Sequence, residues 1–300
     1  MIFLSTALLL FALPLPQTSF CVPPSTLQAC GDALPPEGGT IFLAPNTKLI
    51  VRTETSWDKP VCVIGAGNTS VLELTPGIVG IHLKASGSCL ERLLISAPTA
   101  DDSTIAVLLS NGEKGLNDWH ITDVFIESDT QKKLGIGIKG HFALKGTITG
   151  GEIHGWKTGV LLEDNSNANY FAGCKIRENE DGLFTNADSY MDAYMNGCTV
   201  EGNHIGVHWA SKYLFSAFGN HFENNAEKDP VNVLLENGMY SGHGNSFGEA
   251  SPFGDLVIAG SGQDSSSFDD HFNAGITVRS GRLLRFGCST VPSRGTIICR

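Results

Sequence analysis

Short apolar stretches recur along the whole chain, and in each of them apolar and polar residues alternate. Tyr170-Phe171-Ala172, Lys175-Ile176-Arg177 and Thr199-Val200-Glu201 are representative. Alternation with period two over three to six residues predicts strands that bury one face. The strands recur on a schedule. Gly, then Cys or Asn, then any residue, a large apolar residue and an Asn three positions on describes Gly173-Cys174-Lys175-Ile176 with Asn179. It also describes Gly197-Cys198-Thr199-Val200 with Asn203, and Gly219-Asn220-His221-Phe222 with Asn225. Gly244-Asn245-Ser246-Phe247 follows with Ala250 in place of the last Asn, and Gly150-Gly151-Glu152-Ile153 is a weaker forerunner. A second strand comes after each Asn: Gly159-Val160-Leu161-Leu162, Gly182-Leu183-Phe184-Thr185, Gly206-Val207-His208-Trp209 and Val233-Leu234-Leu235. Looser copies lie upstream at 78–83, 104–108 and 121–126.

A repeat of about 24 residues with strands and no helical pattern predicts a solenoid, each winding laid parallel to the last about 4.8 Å away. The architecture expected is all-β: a solenoid of parallel strands, about ten coils at this period. Asn suits the recurring bend because it tolerates left-handed backbone angles and its amide bonds locally. Asn179, Asn203 and Asn225 should therefore stack as a structural amide ladder. Cys174 and Cys198 fall one coil apart, within disulfide range; a bond and a stack of free thiols both fit. Arg177, Glu201 and Glu223 should form one outward column, and Leu161, Phe184, His208 and Leu234 another.

The repeat resembles the pectin-lyase-like superfamily of right-handed parallel β-helices, in particular its pectate-lyase-type and tailspike branch. So does the segment Ser25–Leu34 leading into Gly38-Gly39-Thr40-Ile41-Phe42-Leu43-Ala44-Pro45. The resemblance implies a short amino-terminal capping helix before the first coil. It further implies that a polysaccharide lies along one parallel sheet, and that the protein exists as a monomer or as a homotrimer.

Composition narrows the partners. Gly is 35 of 300 residues, near 12% against a usual ~7%, which fits many tight bends. The formal charge of −11 disfavours nucleic acid and anionic membranes. Residues 1–16 carry no charge and are too short to span a bilayer, so residues 1–20 are expected to be a secretory signal, leaving a secreted chain with no membrane attachment after cleavage. The β-helix domain is then 21–260, with 261–300 a further coil or a brace. Eight cysteines without a C-x-x-C pair favour disulfides over zinc, and Cys288 with Cys299 could close the tail. Asn68-Thr69-Ser70 is a glycosylation sequon at Asn68.

Chemistry is expected on the strands before each Gly-Cys/Asn step and on the loops before them. Acids and tyrosines handle sugars: a carboxylate exchanges a proton at the glycosidic oxygen, and a Tyr face covers a pyranose ring. Asp188 and Asp192, sharing one loop, are the candidate catalytic acids. Tyr170, Tyr194, Asn196 and Tyr213 are the candidate substrate contacts. Gly242-His243-Gly244 resembles the Gly-His-Gly of polygalacturonases and implies a catalytic role for His243, although that family's Asp-Asp pair and Arg-Ile-Lys have no counterpart here. No cofactor or resident metal is expected; calcium would enter only for a lyase. The function expected is a secreted carbohydrate-active protein, a glycoside hydrolase or polysaccharide lyase, the alternative being a glycan-binding or structural β-helix without catalysis.

Overall fold

The structure is a computed structural model describing residues 17–187, 190–225, 231–248, 254–260, 264–273, 275–279 and the strands 282–286, 293–294 and 297–299. The repeat builds three parallel sheets of thirteen, nine and eleven strands, and each coil from Gly39 to Phe247 contributes in turn to all three. One coil runs Asn169–Ala172 in sheet 1, Lys175–Arg177 in sheet 2 and Asp181–Thr185 in sheet 3, then re-enters sheet 1 at Ala193–Asn196. Alternation explains the section: every second residue enters the tube. Ile148, Phe171, Met195 and Ala217 are successive register partners on sheet 1, and all are buried. Ile153, Ile176, Val200, Phe222 and Phe247 line sheet 2, ending in stacked rings at Phe222, Phe247 and Phe272.

Each corner has its own physical cause. The step from sheet 1 to sheet 2 needs a left-handed residue, supplied by Gly173, Gly197, Gly219 and Gly244 at φ near +60°. The step from sheet 2 to sheet 3 carries the amides. Asn179 Nδ2 donates to Asn203 Oδ1 at 3.0 Å, and Asn203 Nδ2 to Asn225 Oδ1 at 3.0 Å. The chain of amides continues through Asn232 and ends on the Asp255 carboxylate. A second ladder, at the first corner, runs Asn220 to Asn245 to Asp270. Backbone N–H groups at these bends are taken by the next side-chain oxygen in the column, as when Asn203 Oδ1 accepts from Asn179 N and Asn225 Oδ1 from Asn203 N.

Both ends of the fold bear on the expected boundaries. The strand Thr18–Cys21 pairs with Gly39–Leu43 and Cys21 is bonded to Cys30, so the fold begins before the signal boundary expected at residue 20. Across residue 260, Ser241, Ser266 and Leu284 pair in sheet 1. The tail therefore continues the coils, on sheets 1 and 3, as far as Cys299. A helix of six residues, Leu27–Asp32, is N-capped by Thr26 and lies against Trp57, whose Nε1 donates to Gln28 O. The other described cystine is Cys62–Cys89 across two coils. The pairing expected for Cys288 and Cys299 lies outside the described residues and side chains, as do residues 1–16.

Candidate functional site

Sheet 1 presents two outward columns. The first runs His120, Thr147, Tyr170, Tyr194, Ser216, Ser241, Ser266, and the second Thr122, Thr149, Ala172, Asn196, Phe218, His243. Tyr170 and Tyr194, each 37% exposed, stand on neighbouring coils, and Asn196 Nδ2 donates to Tyr170 Oη at 2.9 Å. Phe218 is 42% exposed one coil on from Asn196. The turns that enter this sheet add Tyr190 and Tyr213, 47% and 45% exposed, edge to face at 5.3 Å with Lys212 Nζ 4.9 Å above the Tyr190 ring. Five of the chain's exposed large hydrophobic side chains thus share one surface, across consecutive coils. After Tyr194 the first column continues as three serines, of which Ser216 is buried and Ser241 and Ser266 are half-buried. From Thr122 to His243, among the described residues, no Asp, Glu, Lys or Arg faces outward from the strands of sheet 1.

The four expected substrate contacts are therefore brought together. The catalytic set is not. Asp192 Oδ1 accepts from Leu214 N at 2.9 Å, while its own N–H bonds Asn167 Oδ1 and its carbonyl accepts from Ala168 N. With its backbone and its carboxylate together, the residue stitches three successive turns. Asp192 and His243 sit two coils and four strand positions apart, about 16 Å by strand geometry, too far to act on one bond. Asp188 lies outside the described residues. The glycines of Gly242-His243-Gly244 answer to packing: a Cβ on Gly242 would lie 2.2 Å from Asp270 Oδ2 and 2.3 Å from Tyr240 Oη, and Gly244 is a corner glycine at φ +63°. His243 itself stands exposed in the Phe218 column. Gly242→Ala is expected to cost about 2 kcal/mol by overpacking, read as a lower denaturant midpoint, whereas His243→Ala leaves the midpoint unchanged. Asp192→Ala should lower stability by about 1 kcal/mol through the unpaired Leu214 N–H, and Asp192→Asn, which keeps an acceptor oxygen, should restore it.

Beneath His243, Asp270 accepts from Asn245 N and Nδ2, Ser267 Oγ and Tyr240 Oη. Burial raises its carboxyl above the usual range in spite of those donors, and burial beside Asp270 raises the Tyr240 phenol well above its own. The network is internal and supports the ladder.

For a cation, His141, Glu163 and Asp164 bring donor atoms within 4.8 Å of one another at the turn before Tyr170. Two carboxylates and an imidazole are too few oxygens for calcium. Lys139 also pairs with Glu163 at 2.9 Å, and His141 with Asp164 at 2.8 Å. Asn68 is exposed in a 3-10 turn, open to modification.

Sequence reasoning did not single out the exposed rings of Phe218 and Tyr190, or Asp255 and Asp270 as ladder ends. Phe218 was within reach, since it lies 22 residues after Asn196 in the same frame.

Residues 79–249 match the family model described as "Right handed beta helix region". No curated protein matches the chain in sequence. Among solved structures, the Dettilon tailspike protein aligns with a TM-score of 0.50 at 11% identity over 82% of this chain and 56% of its own. The enzymatically active domain of bacteriophage CBA120 tailspike protein 2 gives 0.50 at 13% over 80% and 44%. A periplasmic alginate epimerase, AlgG, gives 0.41 at 11% over 95% and 86%. The chain spans about half the length of the two tailspike structures, and at these identities the likeness is one of fold.

Proposed function

The chain belongs to the right-handed β-helix family, with a pectin-lyase-like fold, and from that premise we propose that it is an extracellular glycan-binding protein that holds an uncharged polysaccharide on the outward face of sheet 1. One observation carries this: Tyr170, Tyr194 and Phe218 stand exposed on strands of sheet 1 that present no Asp, Glu, Lys or Arg between Thr122 and His243, with Tyr190 and Tyr213 exposed at the turns that enter the sheet. Aromatic faces with polar tips match the apolar ring faces and hydroxyl rims of sugars, and such a patch on a soluble surface marks a contact site. A net charge of −11 sets a repulsive field against uronate polymers, and the outward strand positions from Thr122 to His243 offer no Lys or Arg to offset it. The neighbours that are tailspikes and polysaccharide-acting enzymes agree with a saccharide partner.

Binding without cleavage is the form that this geometry supports best. Hydrolysis or elimination requires a proton-transfer group at the scissile bond, and Asp192 is committed to Leu214 N. Asp188 is the residue through which catalysis would enter. The cystines Cys21–Cys30 and Cys62–Cys89 support an oxidising, extracellular location. We read the helix Leu27–Asp32 as the plug over the first coil.

The test is retention of the full chain on immobilised neutral and uronate polysaccharides, with reducing ends and ultraviolet-absorbing unsaturated uronates measured in the same samples. Retention on neutral polymers without product is the expected result. Product formation that disappears in Asp188→Asn would establish the enzyme instead, and absence of retention on every polymer would end the proposal.

A further inference from the structure

Behind the tyrosine face, at the corner from sheet 1 to sheet 2, Cys174 and Cys198 follow Gly173 and Gly197 in consecutive coils. Each is 1% exposed, and their Sγ atoms lie 3.0 Å apart. Carbon-sized atoms rest about 3.5–4.0 Å apart without a bond; sulfur is larger, so the pair is already inside contact distance. The column they share becomes the Asn220–Asn245–Asp270 ladder further on. Thiols are weak donors and weak acceptors and cannot extend such a ladder, so two coils at its start lack the amide link that joins the later ones. Elsewhere the chain closes the same kind of gap covalently: Cys62 and Cys89 are register partners on adjacent coils of sheet 1 and form a cystine.

We infer that Cys174 and Cys198 are a covalent modification site, an inter-coil disulfide inside the tube that fixes the two coils carrying Tyr170 and Tyr194. The oxidant is a small-molecule disulfide such as oxidised glutathione. Cys198, as thiolate, attacks one oxidant sulfur and displaces the first thiol. Cys174 then attacks the mixed disulfide at Cys198 and displaces the second. The S–S bond forms as two thiols lose two electrons and two protons, and the oxidant gains both to leave as two thiols. In the closed corner the hydrogen bond from Cys174 lowers the Cys198 thiol, while that bond and burial raise Cys174; before closure either sulfur can attack first, and the balance is the same. Because both sulfurs are buried, exchange takes place before the later coil closes over them.

Peptide mapping of the full chain, made in an oxidising secretory host and equilibrated with glutathione buffer, tests this. After acid quench, denaturation, alkylation and unreduced digestion, a peptide linking Cys174 to Cys198 is expected that vanishes on reduction. Cys174→Ala/Cys198→Ala should melt about 5 °C below the oxidised parent, and reductant should remove that difference. Recovery of both cysteines alkylated in a sample whose Cys62–Cys89 peptide is linked would overturn the inference. Neither result depends on whether a glycan binds.

Discussion

Tyr170→Ala/Tyr194→Ala weakens retention on neutral polysaccharide by about a hundredfold and leaves the thermal midpoint within about 2 °C of the parent. Each ring is outward-facing, with its neighbour on the next coil and its underside on the sheet, so removal opens no cavity in the tube. What is lost is the apolar platform. Stacking and partial burial of one aromatic side chain are worth about 1–2 kcal/mol, close to a factor of ten each, and the two are expected to multiply nearly independently. Asn196 loses its partner at Tyr170 Oη in the same variant, so Asn196→Ala alone should weaken retention by about threefold. Affinity electrophoresis in gels with and without dissolved polysaccharide separates the outcomes. Unchanged mobility shifts in the double variant would remove the face from the binding site; a lowered melting point would mean that these rings hold the coils together.

Asn203→Asp is the most destructive single change expected in the chain. The side chain sits inside the corner, accepts from Asn179 N and Nδ2, and donates to Ile176 O, Glu201 O and Asn225 Oδ1. A carboxylate keeps the accepting half and places negative charge against three oxygens that need a donor. Burying a charge without compensation costs about 3–5 kcal/mol, a large part of the stability of an ordinary domain. Urea titration should therefore show a sharply lowered midpoint above the carboxylate range and partial recovery as the added acid protonates. Asn203→Ala, which strands the Asn179 N–H and the Ile176 carbonyl, should cost about 3 kcal/mol at every pH. A midpoint for Asn203→Asp equal to that of the parent would show that the ladder carries no weight.

The coils were legible in the sequence because the period, the alternation and the corner residues repeat, and repetition removes the ambiguity of any one short strand. Asn179, Asn203 and Asn225 could be placed on one another with nothing but their spacing, and Tyr170 above Tyr194 followed from the same frame. The acids were not legible in that way. An Asp that accepts a backbone N–H from the next coil, as Asp192 does from Leu214, has the same letter and the same loop as an Asp that faces a ligand. Gly242-His243-Gly244 misled for a related reason: two glycines demanded by Tyr240, Asp270 and a tight corner happened to flank an exposed imidazole. Asp255 and Asp270 were hidden because they replace Asn in a column and so break the pattern that would have revealed them.

Those two replacements give the molecule a direction of growth. In both corner chains the NH2 groups point toward the carboxyl terminus and the last acceptor has no proton to pass on, so each chain of amides is polar and terminated. Copying a winding between Asn179 and Asn225 would splice donor to acceptor without mismatch. Copying the winding that contains Asp255 or Asp270 would set two anions in contact. Lengthening by duplication is thus open to the middle of this rod and closed to its far end, where the acid serves as a stop.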